Sequence, residues 1–158
     1  MAVLRKGSLC ALLGAVAAGC PGVPLRPDGS PAEEKCPEGA RAAMEAFRLA
    51  PGDSVTMDVD ATRTEAGPVV IYDGPIESRT WLNMMDLPGH TRLYGRVWTG
   101  GPRVVIRYYS ARLPDGRVIP FCAVAADNGP GLPKSPGRPG AAAVPNSAAE
   151  VYITGQFR

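Results

Sequence analysis

Between Arg92 and Arg117 the chain places six arginines against a single acid, Asp115. Aromatic residues are interleaved with them at strand spacing: Tyr94, Arg96 and Trp98 in one run, then Arg103, Arg107 and Tyr109 in the next. Alternate residues of a strand share a face, so each run presents its arginines and aromatics together. A guanidinium is planar and always charged. It grips an acid with two parallel donors and also stacks on a ring. A face of this kind can hold a protein partner, a glycan or an acidic lipid head group. The plainer reading is a solvated outer face, with cross-strand cation–π pairs and carboxylates supplied by other strands.

The other reactive side chains are sparse. His90 is the one histidine, and Asp86 is near it in sequence. General-base chemistry needs a nucleophile beside such a histidine and a carboxylate to orient it. No G-x-S-x-G nucleophile turn is present. A Gly-rich phosphate loop, an H-R-D and a D-F-G are also missing, which removes the usual grounds for phosphoryl transfer. Asp53, Asp58 and Asp60 lack the ligand-loop spacing of an EF-hand, and no C-x-x-C accompanies the lone histidine. The residues predict no enzyme, no cofactor and no metal. A hydrolase using His90 is the least favoured alternative.

The cysteines are better placed. Met1–Gly19 has Arg5 and Lys6 as a positive start, an apolar run from Leu9 to Val16, and small residues at its end. That is the pattern of a cleaved export signal, and it is too short to span a membrane. Arg5 and Lys6 carry the whole formal charge of +2, leaving 15 basic and 15 acidic residues in balance. A nonspecific nucleic-acid binder would carry a basic excess, so no nucleic-acid partner is expected. The ending Ala17-Ala18-Gly19-Cys20 resembles the lipobox of bacterial lipoproteins, with alanine where that family usually has leucine. The resemblance implies that Cys20 takes a diacylglycerol thioether and becomes the mature N-terminus. It also implies a lipid-anchored envelope protein. Pro21 stands where inner-membrane retention is associated with aspartate, which points to the outer membrane. Ordinary cleavage after Ala17 is the alternative and would give a soluble secreted protein. Cys10 leaves with the leader. With Cys20 acylated, Cys36 and Cys122 remain, and an exported chain with two thiols invites one disulfide. Two separate buried cysteines are the other possibility.

The elements that must position these residues follow from hydrophobic periodicity and turn chemistry. Residues 20–35 are rich in proline and charge and read as a solvated tether. Residues 36–158 read as one β-rich domain with a Pro/Gly loop at 128–145. Cys36-Pro37-Glu38 looks like a helix start, with Ala40, Ala43, Met44 and Phe47 on one face over about 11–13 residues. Ser54–Asp60 alternates as a half-buried strand. Val69–Tyr72 is a short apolar run, and Ile76–Leu82 alternates again. Leu93–Cys122 reads as a three-stranded meander, turned at Thr99–Pro102 and Pro114–Arg117. Glu150–Phe157 reads as a last strand that closes a barrel or protects an edge. The sum predicts a mainly β fold, a small antiparallel barrel or sandwich with one short N-terminal helix.

The run Leu87-Pro88-Gly89-His90-Thr91-Arg92-Leu93-Tyr94-Gly95-Arg96, with Arg103–Arg107 and Leu113–Ile119, resembles the β-barrel domain of the outer-membrane pore subunit of type IV secretion and conjugation systems. There a P-x-G-T-R-L-x-G element precedes two strands and a P-D-G hairpin. In this chain His90 intrudes between the glycine and the threonine. The resemblance implies the barrel and not the pore. The plan of the mature chain also resembles small myxobacterial envelope lipoproteins, on its C-P-E-G-A helix start, L-Y-G-x-x-W-T-G strand and P-D-G turn. That resemblance implies lineage and compartment without a settled activity. The expectation is a non-catalytic envelope lipoprotein, an accessory or binding module. The alternative is a sensor or carrier holding a small ligand inside the barrel.

Overall fold

A computed structural model describes residues 22–63 and 65–158. The export signal expected at 1–19 and the acylation expected at Cys20 lie outside the described residues. Among the described residues there are eight strands and one helix, in the order α1 (Ala40–Ala46), β1 (Ser54–Asp58), β2 (Val69–Tyr72), β3 (Gly74–Thr80), β4 (Arg92–Trp98), β5 (Val105–Arg112), β6 (Val118–Ala126), β7 (Ala141–Val144) and β8 (Ala148–Ile153). Six of them close an antiparallel barrel in the order β1-β3-β4-β5-β6-β8, and β2 and β7 form a separate two-stranded ribbon. Of the two folds predicted, the barrel is the one formed.

The pleat explains the barrel. Met57, Leu93, Val97, Ile106, Tyr108, Phe121, Ala123 and Val151 alternate with outward residues along their strands and are all buried. They fill the interior with side chains, as expected for a barrel of few strands. Two polar groups share that interior. The Ser78 hydroxyl donates to the Val59 carbonyl at 2.6 Å and lies 2.7 Å from the Tyr108 hydroxyl, so neither is left unpaired. Burial holds the Tyr108 phenol far above its ordinary titration range, with the Ser78 hydrogen bond opposing the shift.

The pairing of β4 with β5 shifts register between Tyr94 and Gly95. A Cβ at Gly95 would overlap the main-chain oxygen of Arg107, so only glycine fits there. The closing strand is β8, which pairs with β1 on one side and β6 on the other. It ends at Ile153, and residues 154–158 leave the sheet as a tail.

Three expectations are corrected. The helix has seven residues rather than a dozen. Gly39, at φ 76°, occupies its N-cap, so Cys36-Pro37-Glu38 lies before the helix rather than in its first turn. It ends at Phe47, where Arg48 turns left-handed at φ 56° and the Leu49 N–H donates back to the Met44 carbonyl. The loop expected at 128–145 contains β7, whose Ala141–Val144 pair in register with Tyr72–Val69. The tether expected at 20–35 is, from Pro24 on, a strap laid along the barrel. Ala32 donates to the Pro24 carbonyl, Arg26 to the Ser30 carbonyl, and Glu34 exchanges both backbone bonds with Phe157. Its prolines suit an edge that needs few donors.

Candidate outer-wall cleft

The outward faces of β5 and β6 are covered by chain from both ends. Cys36 is joined to Cys122 on β6, with Cα atoms 5.5 Å apart and a sequence separation of 86. This pins the end of the strap, and the helix that follows, against the sheet. The tail returns over the same wall, where the Thr154 N–H donates to the Cys122 carbonyl.

Arg107 lies beneath both segments. It projects outward from β5, between inward-facing Ile106 and Tyr108, yet is 0% exposed. Its guanidinium carbon is 5.5 Å from the Trp98 ring centre and 5.3 Å from that of Phe157. Its terminal nitrogens donate to Glu34 Oε2 at 3.3 Å, the Pro31 carbonyl at 3.4 Å and the main-chain oxygen of Arg158 at 3.3 Å. Its Nε–H is buried and has no partner among the described residues. Tyr109, next outward on the same strand, donates to the same Glu34 oxygen at 2.8 Å and packs edge-on against Phe157. Burial first, then the Glu34 carboxylate, hold the Tyr109 phenol well above its usual range, so it stays a neutral donor. Strap, wall and tail therefore meet on one cation.

The arginine–aromatic face predicted from sequence exists, but it is only partly open. Arg96 pairs with Arg107 across β4 and β5, and both guanidiniums lie over Trp98, Arg96 at 5.7 Å. Trp98 and Arg107 are buried under the chain's own strap and tail, which removes them from direct contact with a partner. Arg96 is exposed, while Tyr94, Arg103 and Tyr109 are half-buried. Arg103 ties the β4–β5 turn to the following loop, donating to the Asp127 carbonyl at 2.5 Å and the Gly131 carbonyl at 2.9 Å. Its Nε–H, like that of Arg107, is buried and unpartnered among the described residues.

Beside Arg107 the wall opens into a cleft of about 410 Å³. Val105 and Val124 form part of its floor, and Arg26, Arg103 and Arg158 contribute charge from strap, turn and tail. Asp28 is the one carboxylate side chain in the lining, and it is turned onto Ser30, accepting from the backbone N–H at 2.9 Å and the hydroxyl at 2.5 Å. Those hydrogen bonds lower the Asp28 carboxyl below its ordinary range. An apolar floor with a few converging polar groups is the usual make-up of a small-molecule site.

The remaining sequence candidates sit elsewhere. His90 is exposed in the β3–β4 loop at φ 61°, with its backbone N–H on the Thr80 carbonyl. Asp86, the carboxylate that could have oriented it, is held by both Arg48 Nε and Nη2 at 2.5 Å. Asp58 is paired with Arg79 at 3.0 Å. Among the described residues no three of His, Cys, Asp or Glu converge as a metal site, and no helix is long and apolar enough to cross a membrane. Sequence reasoning missed Glu34, Phe157, Arg26 and Arg158. The chain matches no protein-family model, no curated protein and no solved structure.

Proposed function

We propose that this protein is a non-catalytic lipoprotein of the cell envelope, exported by its first 19 residues and anchored through Cys20, whose barrel is an accessory or binding module. The supporting observation is the outer-wall cleft, where arginines from three separated segments converge over an apolar floor. A carrier holding its ligand inside the barrel needs a hollow, and the interior is filled by Met57, Leu93, Ile106, Tyr108 and Phe121. The carrier reading therefore moves to the outer wall.

The anchor geometry follows from the strap. Backbone bonding begins at Pro24, four residues after Cys20. An extended chain of that length spans roughly 15 Å. An acylated Cys20 would hold the barrel close to the lipid surface, not clear of it on a long tether. The Pro21 analogy supports the outer membrane as that surface, and three acyl chains would make the attachment effectively permanent. The test is the intact mass of the protein extracted from envelope membranes. An N-terminus at Cys20 carrying acyl chains is expected. A mass beginning at Ala18 without lipid would overturn the anchored reading in favour of a soluble secreted protein.

A further inference from the structure

We propose that the outer-wall cleft binds an anionic amphiphile, with its apolar body on Val105 and Val124 and its acidic head among Arg26, Arg103 and Arg158. The inference deepens the binding-module reading and rests on it. Its first ground is charge. Four arginines line the cleft against one carboxylate side chain, and that carboxylate is occupied by Ser30. Of the acids beside it, Glu34 is shared by Arg107 and Tyr109, and Glu33 stands 4.0 Å from Arg26. The cleft therefore carries a surplus of positive charge. Its second ground is access. Arg26 and Arg158 line the cleft and are exposed, so an acid bound there can reach their donors. Its third ground is shape, since half-buried Val105 and Val124 lie diagonally on neighbouring strands, Val124 opposite Arg107, and both line the cleft. A fully polar anion would leave that floor wet, and a neutral apolar ligand would make no use of the exposed Arg26 and Arg158.

An acidic head on an apolar body can come from a free carboxylic acid or from a phosphate-bearing lipid. Arg26 lies six residues after Cys20, so an anchored chain would bring the rim close to a membrane surface. The probes are decanoate, decyl phosphate and decyltrimethylammonium, titrated by calorimetry into the exported full-length chain carrying Cys20→Ser and Trp81→Phe. Those changes remove the acylation site and leave Trp98, which touches Arg107, as the one tryptophan. Saturable binding of either anion with a shift in Trp98 fluorescence is expected, and no saturable binding of the cation. Decanoate alone would identify the carboxylate source, decyl phosphate alone the phosphate source, and both together recognition by charge. Arg26→Ala with Arg158→Ala, two exposed positions, should weaken binding by about tenfold or more. Val105→Glu should abolish it while leaving the Trp98 spectrum of the free protein unchanged. Absence of heat with both anions, equal binding of the cation, or indifference to these substitutions would overturn the proposal. An acylated Cys20 in the intact-mass measurement would survive that failure, so the two outcomes are separable.

Discussion

Replacing Arg107 with methionine should cost the fold about 3 kcal/mol and lower its melting temperature by about 10 °C. Methionine keeps much of the apolar stem but removes the charge that three segments share. Glu34 would lose its cation and retain only the Tyr109 hydroxyl. The Pro31 carbonyl and the Arg158 main-chain oxygen would lose a donor, and Trp98 and Phe157 would lose the guanidinium between them. Breaking a buried pair at one partner typically costs about 3–5 kcal/mol, and the partial exposure of Glu34 argues for the lower end. The same wall supplies the control. Arg96 is paired across from Arg107 but is exposed, so Arg96→Ala should change stability by no more than about 0.5 kcal/mol. Limited proteolysis adds a local readout, because the variant should be cut within residues 24–34 before the barrel is. A methionine variant as stable and as protected as the native chain would show that Arg107 does not hold the strap.

Removing the disulfide should have the largest effect on stability. The Cys36→Ala, Cys122→Ala chain should lose about 4–5 kcal/mol in urea denaturation, since the bond closes a loop of 86 residues in the unfolded state. The loss should come with loosening of the helix, because the bond lies between strap and helix at one end and mid-β6 at the other. Alanine is the suitable replacement, since Cys122 is 0% exposed and serine would bury a hydroxyl there. A loss below about 1 kcal/mol would mean that the packing of Phe157 and the strap already restrains these segments.

The barrel was legible because its strands carry their instructions locally. Val55, Met57 and Val59 alternate with polar residues, as do Ile76, Ser78 and Thr80 with Glu77 and Arg79, and turn residues separate the meander strands. Closure by β8 was anticipated in kind, though its tail was read as strand through Phe157. The ribbon strand β7 was hidden because its Ala-Ala-Ala-Val lacks β-branched and aromatic residues until its end and stands among prolines. The strap was hidden for a different reason. Its prolines and charges resemble those of a solvated linker, and what orders it is distant in sequence: Glu34 meets Arg107 across 73 residues and bonds the backbone of Phe157 near the chain's other end. The arginines of β4 and β5 were visible as a cluster, but alternation alone does not tell an open face from one covered by the chain's own ends.

The proposed ligand meets the outer wall and not the barrel interior. The most direct test is a two-part NMR titration with decanoate, following side-chain methyls and arginine Nε–H signals together. Shifts are expected at the Val105 and Val124 methyls and at the Arg26, Arg103 and Arg158 Nε–H groups, with the interior methyls of Leu93, Ile106 and Val151 unmoved. Shifts at the interior methyls with a silent outer wall would contradict the outer-wall site.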